Sequence, residues 1–272
     1  MGIKQRIKKK LVKKEIHTVQ TALCEGNYLS GKNALIIGGA GGIGSGIAKR
    51  FAENGCKLVI SGTNEGRLKQ TCKEIGNFSE YVVIDVKSIE NIKTGITKAI
   101  EILGKIDILV YSAGVHGNEK FGNVSESTYD DVMSVNLKAL FFSCQFISDY
   151  MIQNGIKGHI LTISSASCAK PAWTPYEISK WGVRGFTLGL ADMLIPYGII
   201  VNSIAPGPVA TRMINKDNTS DYSMPVNPSG RMATVEEIAN LAVFMASSAG
   251  DMIVGDTYFI SGGSGTTKMH NA

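Results

Sequence analysis

The chain has 272 residues, 44% of them hydrophobic and 19% charged, with 31 glycines against 7 prolines. That is enough apolar chain for one well-buried core; it excludes a disordered or collagen-like protein and leaves little room for two ordinary domains. The net charge of +5 is concentrated at one end: Lys4, Arg6, Lys8, Lys9, Lys10, Lys13 and Lys14 precede any acid, and the rest of the chain holds 21 bases against 23 acids. A near-neutral body gives no reason to expect a nucleic-acid partner.

Residues 1–29 read as a basic N-terminal extension. Ile3, Ile7 and Leu11 would form one apolar stripe of a helix, but Lys14 interrupts it, so a solvated, partly helical tail is the plain expectation. Two alternatives stay open, an arm bridging subunits and a peripheral membrane or acidic-partner contact through residues 1–28. The extension lacks the continuous apolar stretch of a signal peptide, and no run approaches the roughly 18 apolar residues of a membrane span. Cys24, Cys56, Cys72, Cys144 and Cys168 are odd in number and contain no C-x-x-C pair. They suggest neither a disulfide framework nor a metal site, and a reducing cytoplasm is expected.

From residue 30 to 272 the pattern is that of one domain. Short β-branched runs at 34–37, 57–61, 81–84, 106–111, 159–164, 199–204 and 257–260 alternate with segments of helical period. Strands joined by helical crossovers run parallel, and a parallel sheet needs both faces covered, so the expected fold class is α/β, a single doubly wound parallel sheet flanked by helices on both faces. The long irregular stretch at 206–229, with four of the prolines, follows a strand and reads as a substrate lid.

The first strand runs into Gly38-Gly39-Ala40-Gly41-Gly42-Ile43-Gly44 and then a helix with apolar Ile47, Ala48 and Phe51. Glycines there let the backbone turn tightly and let a pyrophosphate reach the free N–H groups at the helix start. A second constellation is Tyr176-Glu177-Ile178-Ser179-Lys180, preceded by Ser164-Ser165 at a strand end. Positions i and i+4 share a helix face, so phenol and ammonium project together. The cation is expected to lower the phenol pKa and make it a usable acid or base near neutral pH.

Taken together and in order, these motifs resemble the single-domain short-chain dehydrogenases/reductases over residues 30–265. Gly38, Gly42 and Gly44, with Ile43, match the cofactor loop; Asp85-Val86 match the pair that holds adenine; and Ala113-Gly114 match the end of the N-N-A-G motif. Asn136, Ser165, Tyr176 and Lys180 match the catalytic tetrad, and Pro206-Gly207 with Val209 and Thr211 match the stretch that contacts the nicotinamide carboxamide. The resemblance implies a Rossmann-type fold and hydride transfer between a nicotinamide cofactor and a small-molecule carbonyl or secondary alcohol. Tyr176 would be the general acid/base, and Lys180 would lower its pKa and hold the ribose. Ser165 would bind the reacting oxygen, and Asn136 would position a relay water. It also implies a homodimer or homotetramer formed through the helices around 130–150 and 176–194.

The sequence departs from the family pattern in several places. Ile37 replaces Thr and Tyr111-Ser112 replace Asn-Asn, read here as a paired replacement of a structural hydrogen bond. Ser165 stands 11 residues before Tyr176 where the family has about 13, so Ser164 competes for the serine role, with Ser165 preferred. Gly62 supplies no carboxylate where an NAD-preferring member carries Asp. Thr63, Asn64 and Arg67 are then candidates for a 2′-phosphate, which favours NADP(H) over NAD(H). His116 reads as a solvated loop residue, Cys144 and Cys168 as small apolar groups, Trp173 as a pocket border and Trp181 as a packing residue. The competing readings are a catalytically silent cofactor-binding or scaffold protein and a sugar-nucleotide epimerase-like enzyme.

Overall fold

The computed structural model describes residues 26–117, 119–211 and 221–267. The basic run, Cys24 and the middle of the expected lid lie outside the described residues. In chain order the elements are β1 (Asn33–Ile37), α1 (Gly42–Glu53), β2 (Lys57–Gly62), α2 (Glu65–Ile75), β3 (Ser79–Val83), α3 (Ile89–Leu103) and β4 (Ile108–Tyr111). They continue with α4 (Glu126–Met133), α5 (Ala139–Gln153), β5 (His159–Ile163), α6 (Pro175–Leu194), β6 (Ile200–Pro206), α7 (Val235–Ala246) and β7 (Thr257–Ile260). The strands match the expected ones to within two residues at either end.

All seven strands are parallel, in the order β3-β2-β1-β4-β5-β6-β7. Alternation along β1 shows how both faces are used. Leu35 and Ile37 join a core with Ile92 of α3, Leu140 of α5 and Val183 of α6. Ala34 and Ile36 join another with Ile47 and Phe51 of α1 and Ala242 of α7. Leu29, from the expected extension, is fully buried in this second core, so the body begins before residue 30. Among the described residues no helix is long and apolar enough to cross a membrane.

Strand order reverses between β1 and β4. The loops leaving their carboxyl ends diverge there and open a crevice, the place where such sheets bind ligands.

Candidate active site

The turn after β1 works because of what its glycines lack. Gly38 has φ +83°, and a Cβ there would stand 2.5 Å from the Ala113 nitrogen. A Cβ on Gly44 would run into the Gly38 carbonyl oxygen. The helix that follows is left open at its positive end. Helices α2, α3, α4, α6 and α7 are each capped by a side chain, from Asn64, Ser88, Ser125, Thr174 and Thr234 respectively. Helix α1 begins after Gly41 with no side-chain cap and no acid in its first turn. Its N–H groups are available to an anion.

Two adjoining cavities of about 370 and 430 Å³ extend from this turn and share Gly41, Ser112 and Gly114. The first is lined by Gly42, Ile43, Gly44, Ser164, Ser165, Tyr176, Lys180, Pro206, Gly207, Val209 and Thr211. The second is lined by Gly38, Thr63, Asn64, Arg67, Asp85, Val86 and Ala113. Every cofactor residue expected from the sequence therefore borders one cleft. Ser61, not singled out from the sequence, borders it too, and its fully buried hydroxyl has no hydrogen-bond partner among the described residues. An uncapped helix end, side-chain-free glycines and an orphaned hydroxyl along an elongated cleft fit a dinucleotide. Asn64 is partly committed, since its side-chain oxygen accepts from the Arg67 N–H at 2.9 Å to cap α2.

At the other end of the cleft, α6 starts with a reciprocal Thr174–Glu177 capping box and Pro175 in its first turn, which fixes where Tyr176 begins the helix. Burial pushes the Tyr176 phenol up, and the Ser165 side chain pulls it back down. The expected lowering by Lys180 is not found. The Lys180 ammonium stands 5.6 Å from the centre of the phenol ring and donates to the Ile163 carbonyl at 2.9 Å. Burial holds its own pKa down at about 8. Gly114 lies beside this ammonium; a Cβ there would be in ordinary contact with Nζ at 3.7 Å. Of the two serines, Ser164 donates to the Lys180 carbonyl at 3.1 Å, which leaves Ser165 as the one facing the phenol.

Asn136 sits in a π-helical turn, Ser134–Lys138, that joins α4 to α5, and lies beneath the cleft rather than on its wall. Its amide donates to the Val115 carbonyl at 3.0 Å and to Ser179 Oγ at 3.1 Å, while its oxygen accepts from the Val115 N–H at 2.8 Å. Both amide hydrogens are thus used within the protein, so a relay water has only the remaining carbonyl lone pair. Ser179 donates in turn to the Tyr176 carbonyl at 2.6 Å, so Asn136 ties the loop after β4 to the start of α6.

Ile37 and Tyr111 are register partners on β1 and β4. The Tyr111 hydroxyl does not link the two strands; it donates at 2.6 Å to the Val135 carbonyl, inside the turn that carries Asn136. His116 is exposed, but its ring packs on the Tyr176 ring with centroids 4.4 Å apart and borders the cleft. A single loop histidine without a partner motif gave no signal of that contact. Trp181 is half-exposed: the Arg184 guanidinium lies over its ring, and its indole N–H donates to the Lys170 carbonyl at 2.8 Å. Trp173 is exposed. Cys144 and Cys168 are fully buried and free, and burial pushes the Cys144 thiol well up.

The short chain dehydrogenase family model matches residues 32–222. A gluconate 5-dehydrogenase of Gluconobacter oxydans is 32% identical over 86% of this chain and 95% of its own length. Among solved structures, a 3-ketoacyl-(acyl-carrier-protein) reductase from Brucella melitensis complexed with NADH superposes with a TM-score of 0.81 at 27% identity, covering 87% of this chain and 99% of that one. An actinorhodin polyketide ketoreductase with NADPH gives a TM-score of 0.80 at 26% identity, covering 87% and 98%.

Proposed function

This chain belongs to the short-chain dehydrogenase family, and from that premise we propose that it moves hydride between a nicotinamide cofactor and a carbonyl or secondary alcohol, with Tyr176 handling the proton. The observation that carries this reading is the Tyr176 phenol, half-buried and faced by Ser165, on the same cleft wall as the open end of α1. The bound nicotinamide would donate or accept the hydride. Everything else is positioning and proton control by the chain itself.

Burial keeps the phenol protonated at neutral pH, the form that can give a proton to a carbonyl oxygen as negative charge grows on it. The Ser165 hydroxyl supplies a second hydrogen bond to that oxygen. Lys180, largely cationic below its pKa of about 8, would hold the ribose hydroxyls and bring positive charge towards the phenol. In the opposite direction Tyr176 must first lose its proton, so alcohol oxidation should rise with pH above neutrality while carbonyl reduction does not.

Tyr176→Phe tests the assignment. The variant should bind cofactor while kcat falls by roughly 10²- to 10⁴-fold, the usual worth of a general acid/base. Retention of most turnover overturns it. A silent cofactor sensor would instead bind NAD(P)H and turn over nothing in a broad carbonyl panel, already with Tyr176 in place.

For the cofactor we favour NADP(H) over NAD(H). Gly62 brings no carboxylate to the ribose end of the cleft, and Arg67 with Thr63 borders it. Equal or better kcat/KM with NADH on the same substrate would reverse this preference. A homodimer or homotetramer is supported by the apolar side chains left exposed on α5 and α6, among them Phe141, Leu188 and Met193. A cytoplasmic enzyme is consistent with its four described cysteines, all free.

A further inference from the structure

Beyond Tyr176 a further cavity of about 450 Å³ opens off the cleft, sharing His116, Ser165, Gly207 and Pro208 with the reaction end and no lining residue with the nucleotide end. A substrate whose reacting carbon lies near Tyr176 has this space beside it for the rest of its structure. Its wall carries one ammonium group, Lys170, and no described Asp or Glu.

Lys170 is exposed, but both its backbone and its ammonium are tied to neighbouring segments. The Trp181 indole grips its carbonyl at 2.8 Å, and its own N–H donates to the Ser167 carbonyl at 3.3 Å. Its ammonium donates to Ser264 Oγ at 3.0 Å. Gly265 makes room for the stem: a Cβ there would stand 3.2 Å from Lys170 Cε and 2.6 Å from the Ala166 carbonyl. An ammonium has three donors, and among the described residues only the neutral Ser264 takes one. No described carboxylate neutralises it. The surrounding hydroxyls of Ser167 and Ser223 can accept or donate but bring no charge.

We propose that this cavity receives the carboxylate of an acidic substrate, a hydroxy or keto acid, with Lys170 as its counter-ion. The inference deepens the proposed hydride transfer and rests on it. A carboxylate fits better than a phosphate monoester, because the wall offers one ammonium and neutral hydroxyls rather than an arginine fork or a helix start.

The test uses matched pairs that differ only in charge: D-gluconate against D-gluconamide, acetoacetate against acetoacetamide, and 4-oxopentanoate against its amide, with neutral ketones alongside. Wild type, Lys170→Gln and Lys170→Arg are compared, with the thermal shift on adding NADPH reporting that each variant is folded. The acid should exceed its amide by about tenfold or more in kcat/KM, mainly through KM, in at least one pair. Lys170→Gln should erase that advantage and Lys170→Arg should keep it. Amides turned over as well as acids, turnover confined to neutral ketones, or an acid preference that survives Lys170→Gln overturns the carboxylate assignment and leaves hydride transfer standing. Wild-type enzyme that turns over nothing in the panel overturns both.

Discussion

The two ends of the cleft are built from different materials. At the nucleotide end the ligand-facing surface is largely backbone: a glycine turn, an uncapped helix and main chain approaching main chain at Gly38 and Ala113. At the reaction end it is side chains drawn from distant segments, His116 after β4, Ser165 and Lys170 after β5, Tyr176 and Lys180 on α6, and Ser264 after β7. A backbone site tolerates no added atom. A side-chain site tolerates substitution of its parts but depends on how its segments are tied together.

The largest effect should come from Lys180, where the two demands of the reaction end conflict. Its folded pKa of about 8 lies below the ordinary lysine value, so burying the charged form works against folding. That cost is complete at pH values below 8 and fades as pH rises from 8 through the unfolded pKa, because the folded protein sheds the proton first. Lys180→Met should therefore stabilise the fold at pH 7 by on the order of a few kcal/mol, while removing most turnover. Paired thermal melts at pH 7 and pH 9.5 should show the gap between wild type and variant narrowing at the higher pH. A variant less stable than wild type at both would mean that Lys180 is a net structural contributor.

Gly44→Ala probes the other end. The added methyl would press on the Gly38 carbonyl and on the Gly39 Cα, and overpacking of this kind costs about 1–3 kcal/mol. Read as cofactor affinity, that is roughly a 5- to 150-fold weaker Kd. The phenol and its Ser165 contact should be untouched, so turnover at saturating cofactor should largely return. A fall in kcat that saturation does not rescue would mean that the two ends are coupled.

This contrast also explains what could be read in advance. The sheet, its helices and the nucleotide end were legible because a glycine-rich turn and β-branched runs alternating with helical segments are local patterns with few physical meanings. Gly44 can be recognised from its own neighbourhood in the chain. The reaction end was legible only where its residues lie in a motif, as Ser165, Tyr176 and Lys180 do. His116 and Lys170 lie in none, and their relevance depends on a ring 60 positions away and a hydroxyl 94 positions away. The Tyr-x-x-x-Lys spacing predicts a lowered Tyr176 phenol pKa, whereas burial raises it, for a related reason. Sequence spacing places an ammonium near a phenol, but burial and the Ile163 carbonyl decide what that ammonium does.

Tyr111 gives the smallest and most discriminating test, because it touches neither cavity and yet supports the reaction end. Its hydroxyl donates to the Val135 carbonyl one residue before Asn136, whose amide joins the Val115 loop to Ser179 and so to Tyr176. Removing that hydroxyl leaves a buried carbonyl without this donor, a loss of about 1–3 kcal/mol. Tyr111→Phe should accordingly lower thermal stability by that order. It should also reduce kcat by less than about tenfold and leave cofactor Kd within about twofold, since Val135 borders the nucleotide cavity through its side chain and no glycine of the turn bonds to its carbonyl. A variant whose cofactor affinity falls as much as its kcat would show that the π-helical turn serves both ends. Unchanged kcat with reduced stability would show that the Tyr111 bond holds the fold and contributes nothing to the placement of Tyr176.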